Sequence, residues 1–250
     1  MAGYKLNSLD GDIGKVKEFY FDDHFWTVRY LVADTGSWLA NKLVLISPYA
    51  LTAVSTVDEI ISVNLTQKQI EDSPAVYSDL PVSQQFEESY YSYYGWPTYW
   101  SGSGMWGNTP FIMRDHGEWD SSRISENQWD RHLRSTHGVD GYHIRATDGK
   151  IGHVTDFIID DETWAIRYLI VDTRNWWPGK LVLISPQWID SIDWAGSEIL
   201  VNISLETIQS SPEFNDESLL TRGYESALYE HYNHRGYWAN DLPVKEMAAP

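Results

Sequence analysis

The 250-residue chain carries 36 Asp and Glu against 18 Lys and Arg, a formal net charge of −18, with no Cys and with 13 Trp, 16 Tyr and 7 Phe. So acidic a chain lacks the cationic surface from which nucleic-acid and anionic-membrane binding draw their affinity, and without thiols it has neither disulfides, thiolate metal sites nor thiol catalysis. With 42% hydrophobic residues it has ample material for packed cores. The start, Met1 to Asn7, lacks the apolar run of a secretory signal, and no later stretch approaches the roughly 18 apolar residues of a spanning helix. A cytoplasmic protein with no membrane insertion is the expectation.

The chain repeats itself at a constant shift of 138 residues. Gly11-Asp12-Ile13-Gly14 recurs as Gly149-Lys150-Ile151-Gly152, Asp22-Asp23 as Asp160-Asp161, Trp26 as Trp164, and Arg29-Tyr30-Leu31 as Arg167-Tyr168-Leu169. The run from Lys42 to Pro48 returns unchanged as Lys180 to Pro186. This self-similarity divides the chain into a first copy with its tail, 1–100, a connection, 101–141, and a second copy with its tail, 142–250. The connection opens on Ser101-Gly102-Ser103-Gly104, which reads as linker. It also holds Trp106, Phe111, Trp119 and Trp129, so part of it is expected to pack on a copy.

Within the first copy, short runs rich in Val, Ile, Tyr and Phe between Gly, Pro, Asp and Asn predict strands over 14–21, 26–33, 42–47, 49–55 and 60–64. Asp22 to Phe25 then forms a four-residue hairpin loop. That register sets Glu18 opposite Arg29, and Asp156 opposite Arg167 in the second copy, as cross-strand ion pairs. Next comes a short helix: Thr66-Gln67-Lys68-Gln69 has capping-box spacing, with a weaker version at Ser204, and Pro74 ends the element. So few helices cannot cover two faces of an open sheet. The fold expected is therefore mainly β, two tandem small antiparallel barrels, each with a short helix and an aromatic tail. Trp26, Trp38, Trp164 and Trp176 are expected as plugs and rim cover.

The patterns Asp-Gly-x-Ile-Gly-x-Val, Asp-Asp, Trp-x-x-Arg-Tyr-Leu and Leu-Val-Leu-Ile-Ser-Pro resemble those of the PRC-barrel family, in both copies. That family is named for the cytoplasmic domain of the H subunit of the purple bacterial photosynthetic reaction centre. The resemblance implies a small β-barrel used for interaction or scaffolding, with no catalytic residue to carry over. It also leaves open an accessory role in photosynthetic or membrane electron transfer.

Chemistry-bearing residues point the same way. None of the eight histidines is repeated between copies, and His231 and His234 are the best-spaced pair for a metal. The repeated aspartates at 10, 22, 23, 148, 160 and 161 have turn-forming spacing. Ser47-Pro48 and Ser185-Pro186 lack a nucleophile-elbow context. No catalytic, cofactor or metal residue is therefore assigned, and a small-ligand site or hydrolase stays only as an alternative.

The tails are the most unusual feature. Phe86, Tyr90, Tyr91 and Tyr94 have helical spacing, with Glu87 and Glu88 expected to face water. Such a stripe docks on a barrel, its own or another's, or it meets a partner. Tyr90, Tyr94, Trp96, Trp100, Tyr232, Tyr237 and Trp238 are the candidate partner-binding residues. The partner expected is a protein, basic if charge recruits it, and a homodimer with swapped tails is a further possibility.

Overall fold

A computed structural model describes residues 1–39, 42–74, 84–96, 98–99, 132–173, 179–215 and 220–240. The chain divides into two compact units.

The first unit is built on one sheet. Its strands are β1 (Lys5–Asn7), β2 (Asp12–Asp22), β3 (Thr27–Asp34), β4 (Leu43–Ile46), β5 (Leu51–Ser55) and β6 (Ile60–Val63), in the order β4-β3-β2-β1-β6-β5. The pairings are antiparallel except β1 with β6, which run parallel, so the sheet is mixed where an all-antiparallel one was expected. The end strands β4 and β5 are successive in the chain. One 3-10 turn, Pro48–Ala50, joins them and brings the two ends of the path together in a barrel-like curl. Ser47 caps that turn by accepting the Tyr49 N–H, and the proline supplies its first residue. The short helix α1 (Gln67–Glu71) follows, with both halves of the Thr66–Gln69 capping box formed.

Most expected strands occur within a residue or two. β1 escaped the reading because three residues with a single apolar side chain carry no period, and the predicted strand from 49 begins instead as the 3-10 turn. The register differs in substance. Glu18 lies across from Val32, and the β2–β3 ladder slips between Val16 and Glu18 and again between Tyr20 and Phe21. Two irregularities defeat any constant pairing sum. The turn occupies residues 23–26, and Asp22 closes it: Oδ1 accepts the N–H groups of His24 and Phe25, while Oδ2 holds the Arg29 guanidinium at 3.1 Å. The partner of Arg29 that sets the hairpin is thus Asp22 rather than Glu18. In the second copy Arg167 likewise holds Asp160 at 2.6 Å, while Asp156 is exposed.

Gly14 explains one repeated glycine. Its φ is +113°, and a Cβ there would lie 2.0 Å from the carbonyl oxygen of Asp34; Gly152 repeats the situation at 2.2 Å from that of Asp172.

The end of the connection does pack. Strand β7 (Leu133–Ser135) pairs antiparallel with the outer half of β2, and α2 (Gln84–Tyr94) and α3 (Thr136–Val139) belong to the same unit. The Phe19 N–H donates to Thr136 Oγ1 at 3.1 Å, and Asp23 binds Arg134 at 2.8 Å. This unit also includes Ile159–Arg167, where Ile166 N–H donates to Trp26 O at 2.7 Å and Val28 N–H to Trp164 O at 2.8 Å.

The second sheet repeats the plan: β8 (His143–Ala146), β9 (Gly149–Ile159), β10 (Ile166–Asp172), β11 (Leu181–Ile184), β12 (Ile189–Asp193) and β13 (Glu198–Val201), in the order β11-β10-β9-β8-β13-β12. Again one pairing, β8 with β13, is parallel. Helices α4 (Leu205–Gln209) and α5 (Arg222–His231) follow. Trp26 and Trp164 are buried, as expected of plugs, and Trp38 is half-buried. Trp100, Trp106, Phe111, Trp119, Trp129 and Trp176 lie outside the described residues. No helix among the described residues is long and apolar enough to cross a membrane.

Candidate functional site: the aromatic helix and its pocket

In each copy the tail helix docks on the sheet of its own copy. Tyr90 and Tyr91 of α2 are fully buried with Tyr30 and Val32 of β3 and Leu45 of β4, and Phe86, Tyr94, Trp96 and Tyr99 pack around them. The helical stripe read from the sequence is therefore the docking face. The Tyr90 hydroxyl ties the helix to the end of β4, accepting from Ser47 N–H at 3.0 Å and donating to Leu45 O at 3.1 Å.

Glu88 faces water as expected, but Glu87 does not: it is completely buried. Its Oε1 accepts hydrogen bonds from the hydroxyls of Tyr30 at 2.7 Å and Tyr99 at 3.0 Å. The second copy repeats the arrangement, with Glu225 accepting from Tyr168 at 2.8 Å and Tyr237 at 3.0 Å. A charge can be buried here because phenol donors and nearby cations replace water. Arg29 lies over the Tyr99 ring at 4.3 Å; Arg222 reaches Glu225 at 2.9 Å and lies over Trp238 at 4.2 Å. Burial, reinforced by the Glu87 charge, holds the Tyr30 phenol well above its ordinary pKa. Tyr168 is raised in the same way, by burial first and then by its tyrosine and glutamate neighbours.

Beside the lock, both copies build a three-ring stack with a tryptophan in the middle, from different positions. In the first copy Trp96 lies on Tyr94 (centroids 4.5 Å, 13°) and against Tyr49 (5.8 Å, 31°). In the second, Trp188 sits between Tyr232 (4.4 Å) and His234 (5.4 Å, 16°). Where the second copy has Trp188 and His234, the first has Ala50 and Trp96, so the indole enters from the opposite side of the same contact. Burial lowers the pKa of His234, which favours the neutral ring. His231, the other half of the expected metal pair, bonds Thr207 O through Nε2 at 2.8 Å.

Of the candidate partner-binding residues, Tyr90 and Tyr232 are core side chains, which corrects their assignment to a surface. Tyr237 and Trp238 are half-buried in the Glu225–Arg222 group. Tyr94 and Trp96 are half-buried and line a pocket of about 370 Å³ together with Tyr49, Asn64, Leu65, Gln69 and Tyr93. None of these seven residues is charged. Burial lifts the Tyr94 phenol to about 12, so both pocket tyrosines of the helix stay protonated at neutral pH. Tyr93, which the helical stripe omits, is 42% exposed at the rim, and its hydroxyl donates to Gln69 O at 3.0 Å. The sequence signal for it was the fifth aromatic of α2 lying off the buried stripe. Among the described residues no three His, Asp or Glu side chains gather in a metal-binding group.

A family model for the PRC-barrel domain matches residues 139–207. No curated protein matches the chain. The matched segment spans β8 to β13 in the strand order given above, and β1 to β6 follow the same order with the same single parallel pair. Residues 139–207 are thus a PRC-barrel domain, and the N-terminal sheet is a second copy of that architecture.

Proposed function

We propose that the chain is a non-catalytic interaction module that binds a partner protein through the α2 pocket of its first unit. The observation that carries this reading is the placement of Tyr93. The other tyrosines of α2 are buried or half-buried against the sheet, whereas Tyr93 stands exposed at the mouth of an uncharged, aromatic-walled pocket. Tyrosine and tryptophan dominate binding hot spots because they bring large, rigid contact area with a polar tip. A PRC-barrel domain supports a scaffold-like role, and the uncharged lining gives no general acid or base to a reaction.

The test is cross-linked affinity purification of the full chain from its native host, followed by the same experiment with Tyr93→Ala. Tyr93 is exposed enough for the substitution to leave the fold intact, which a thermal melt checks. A protein partner captured by the wild type and lost with Tyr93→Ala is the expected result. Unchanged capture by the variant overturns the pocket as the contact.

A further inference from the structure

We infer that the α2 pocket is built for a proline-rich segment in the polyproline II conformation, an inference that rests on the pocket being the partner contact. Its hydrogen-bonding inventory is lopsided. The Gln69 carbonyl already accepts from the hydroxyls of Tyr93 (3.0 Å) and Tyr94 (3.5 Å), and Gln69 Oε1 is taken by the Thr66 N–H of the capping box (2.9 Å). Left over are donors. Trp96 Nε1–H, the Gln69 Nε2 amide and the Asn64 side-chain amide have no acceptor among the described residues. The surplus calls for a ligand rich in acceptors and poor in donors.

A polyproline segment has that character. Its residues have no N–H, its carbonyls have no internal partners, and its rings are rigid and apolar. Docking it therefore strands no ligand donor and costs little conformational entropy, the basis on which aromatic-lined grooves recognise such segments. Competing ligand chemistries fit less well. A sugar brings a donor with every hydroxyl acceptor and stacks on an open ring face, but Trp96 has Tyr94 over one face and Tyr49 against the other. The edge that bears Nε1–H is what the indole has to offer. A quaternary cation needs open ring faces for the same reason, and no carboxylate lines the pocket to assist it.

The probe is an uncharged decaproline peptide, acetylated and amidated, titrated into the ¹⁵N-labelled full chain. Saturable shifts of the Trp96 Nε1–H, Gln69 and Asn64 side-chain amide resonances are expected. Trp96→Phe, which keeps a ring and removes the donor, should weaken binding about fivefold to tenfold, the worth of one hydrogen bond. Asn64 is exposed, so Asn64→Ala should weaken binding similarly without disturbing the fold. Absence of saturable shifts, shifts confined to other residues, full affinity in both variants, or tighter binding of maltohexaose or tetramethylammonium than of decaproline each overturn the inference. A partner lost with Tyr93→Ala, together with no decaproline binding, would sink this inference alone. Decaproline binding together with partner capture indifferent to Tyr93 would sink the proposed partner contact instead.

Discussion

Asp22 and Asp160 each do two jobs with one carboxylate, closing a turn with one oxygen and holding a buried arginine with the other. In the first copy both side chains of the pair are nearly sealed from water, 3% and 7% exposed. Substituting Asp22 by Asn leaves the Arg29 guanidinium buried without that carboxylate. Urea denaturation should show a loss of about 3–5 kcal/mol, against about 1 kcal/mol for Glu18→Gln, which weakens only the bond from Ser135. Equal losses would restore the Glu18–Arg29 pairing that the sequence suggests. At Asp160 burial works to raise the carboxyl pKa, but the Thr163 N–H and the Arg167 guanidinium outweigh it and hold the group below its ordinary value. A folded-state pKa below the unfolded one means stability that is present above about pH 4 and lost as the pH falls through the folded value. The stability difference between wild type and Asp160→Asn should therefore shrink as the pH drops below about 4; a constant difference would show that the charge is not what Asp160 contributes.

At the scale of the element, α2 shows where a sequence is legible and where it stops being so. The apolar stripe, the capping box of α1 and the end of that helix before Pro74 all follow from spacing and local hydrogen bonding, and all are present. Glu87 was misread because helical periodicity scores a carboxylate as polar without knowing that two phenols will meet it. Its signal was instead the repeat: Tyr30, Glu87 and Tyr99 recur together as Tyr168, Glu225 and Tyr237, three polar tips kept in register across 69 residues of each copy. The strand register was illegible for a different reason, because bulges depend on how Gly14 and Asp22 let the backbones approach. If the buried carboxylate locks α2, Glu87→Gln, which keeps the shape and removes the charge, should cost about 1.5–3 kcal/mol, the worth of hydrogen bonds to a charged group. Hydrogen exchange should locate the damage, with α2 amides losing protection while β2 and β3 keep theirs. The exposed neighbour sets the scale, since Glu88→Gln should stay within about 0.5 kcal/mol. Unchanged α2 protection in Glu87→Gln would mean that ring packing alone holds the helix.

For the whole molecule the excess of acid becomes a quantity that salt can read. Among the described residues, the ion pairs that set the hairpins are buried, whereas Lys68 with Glu71 and Asp72 and Lys150 with Glu198 lie at the surface. A net charge of −18 repels itself over distances that reach about 30 Å at 0.01 M salt and about 10 Å at 0.1 M. Raising the salt from the first concentration to the second at pH 7 should therefore raise Tm, because relief of global repulsion outweighs the loss of exposed pairs that are each worth less than about 1 kcal/mol. A falling Tm would make the surface pairs the larger effect. The same titration separates the two modes of recognition this surface can support. Encounter with a basic partner is steered by charge and should slow as salt rises, while a pocket lined by seven uncharged residues should hold decaproline equally well at both salt concentrations. If decaproline binding weakened in step with the association of a basic partner, the acidic surface rather than the aromatic pocket would be what ligands meet.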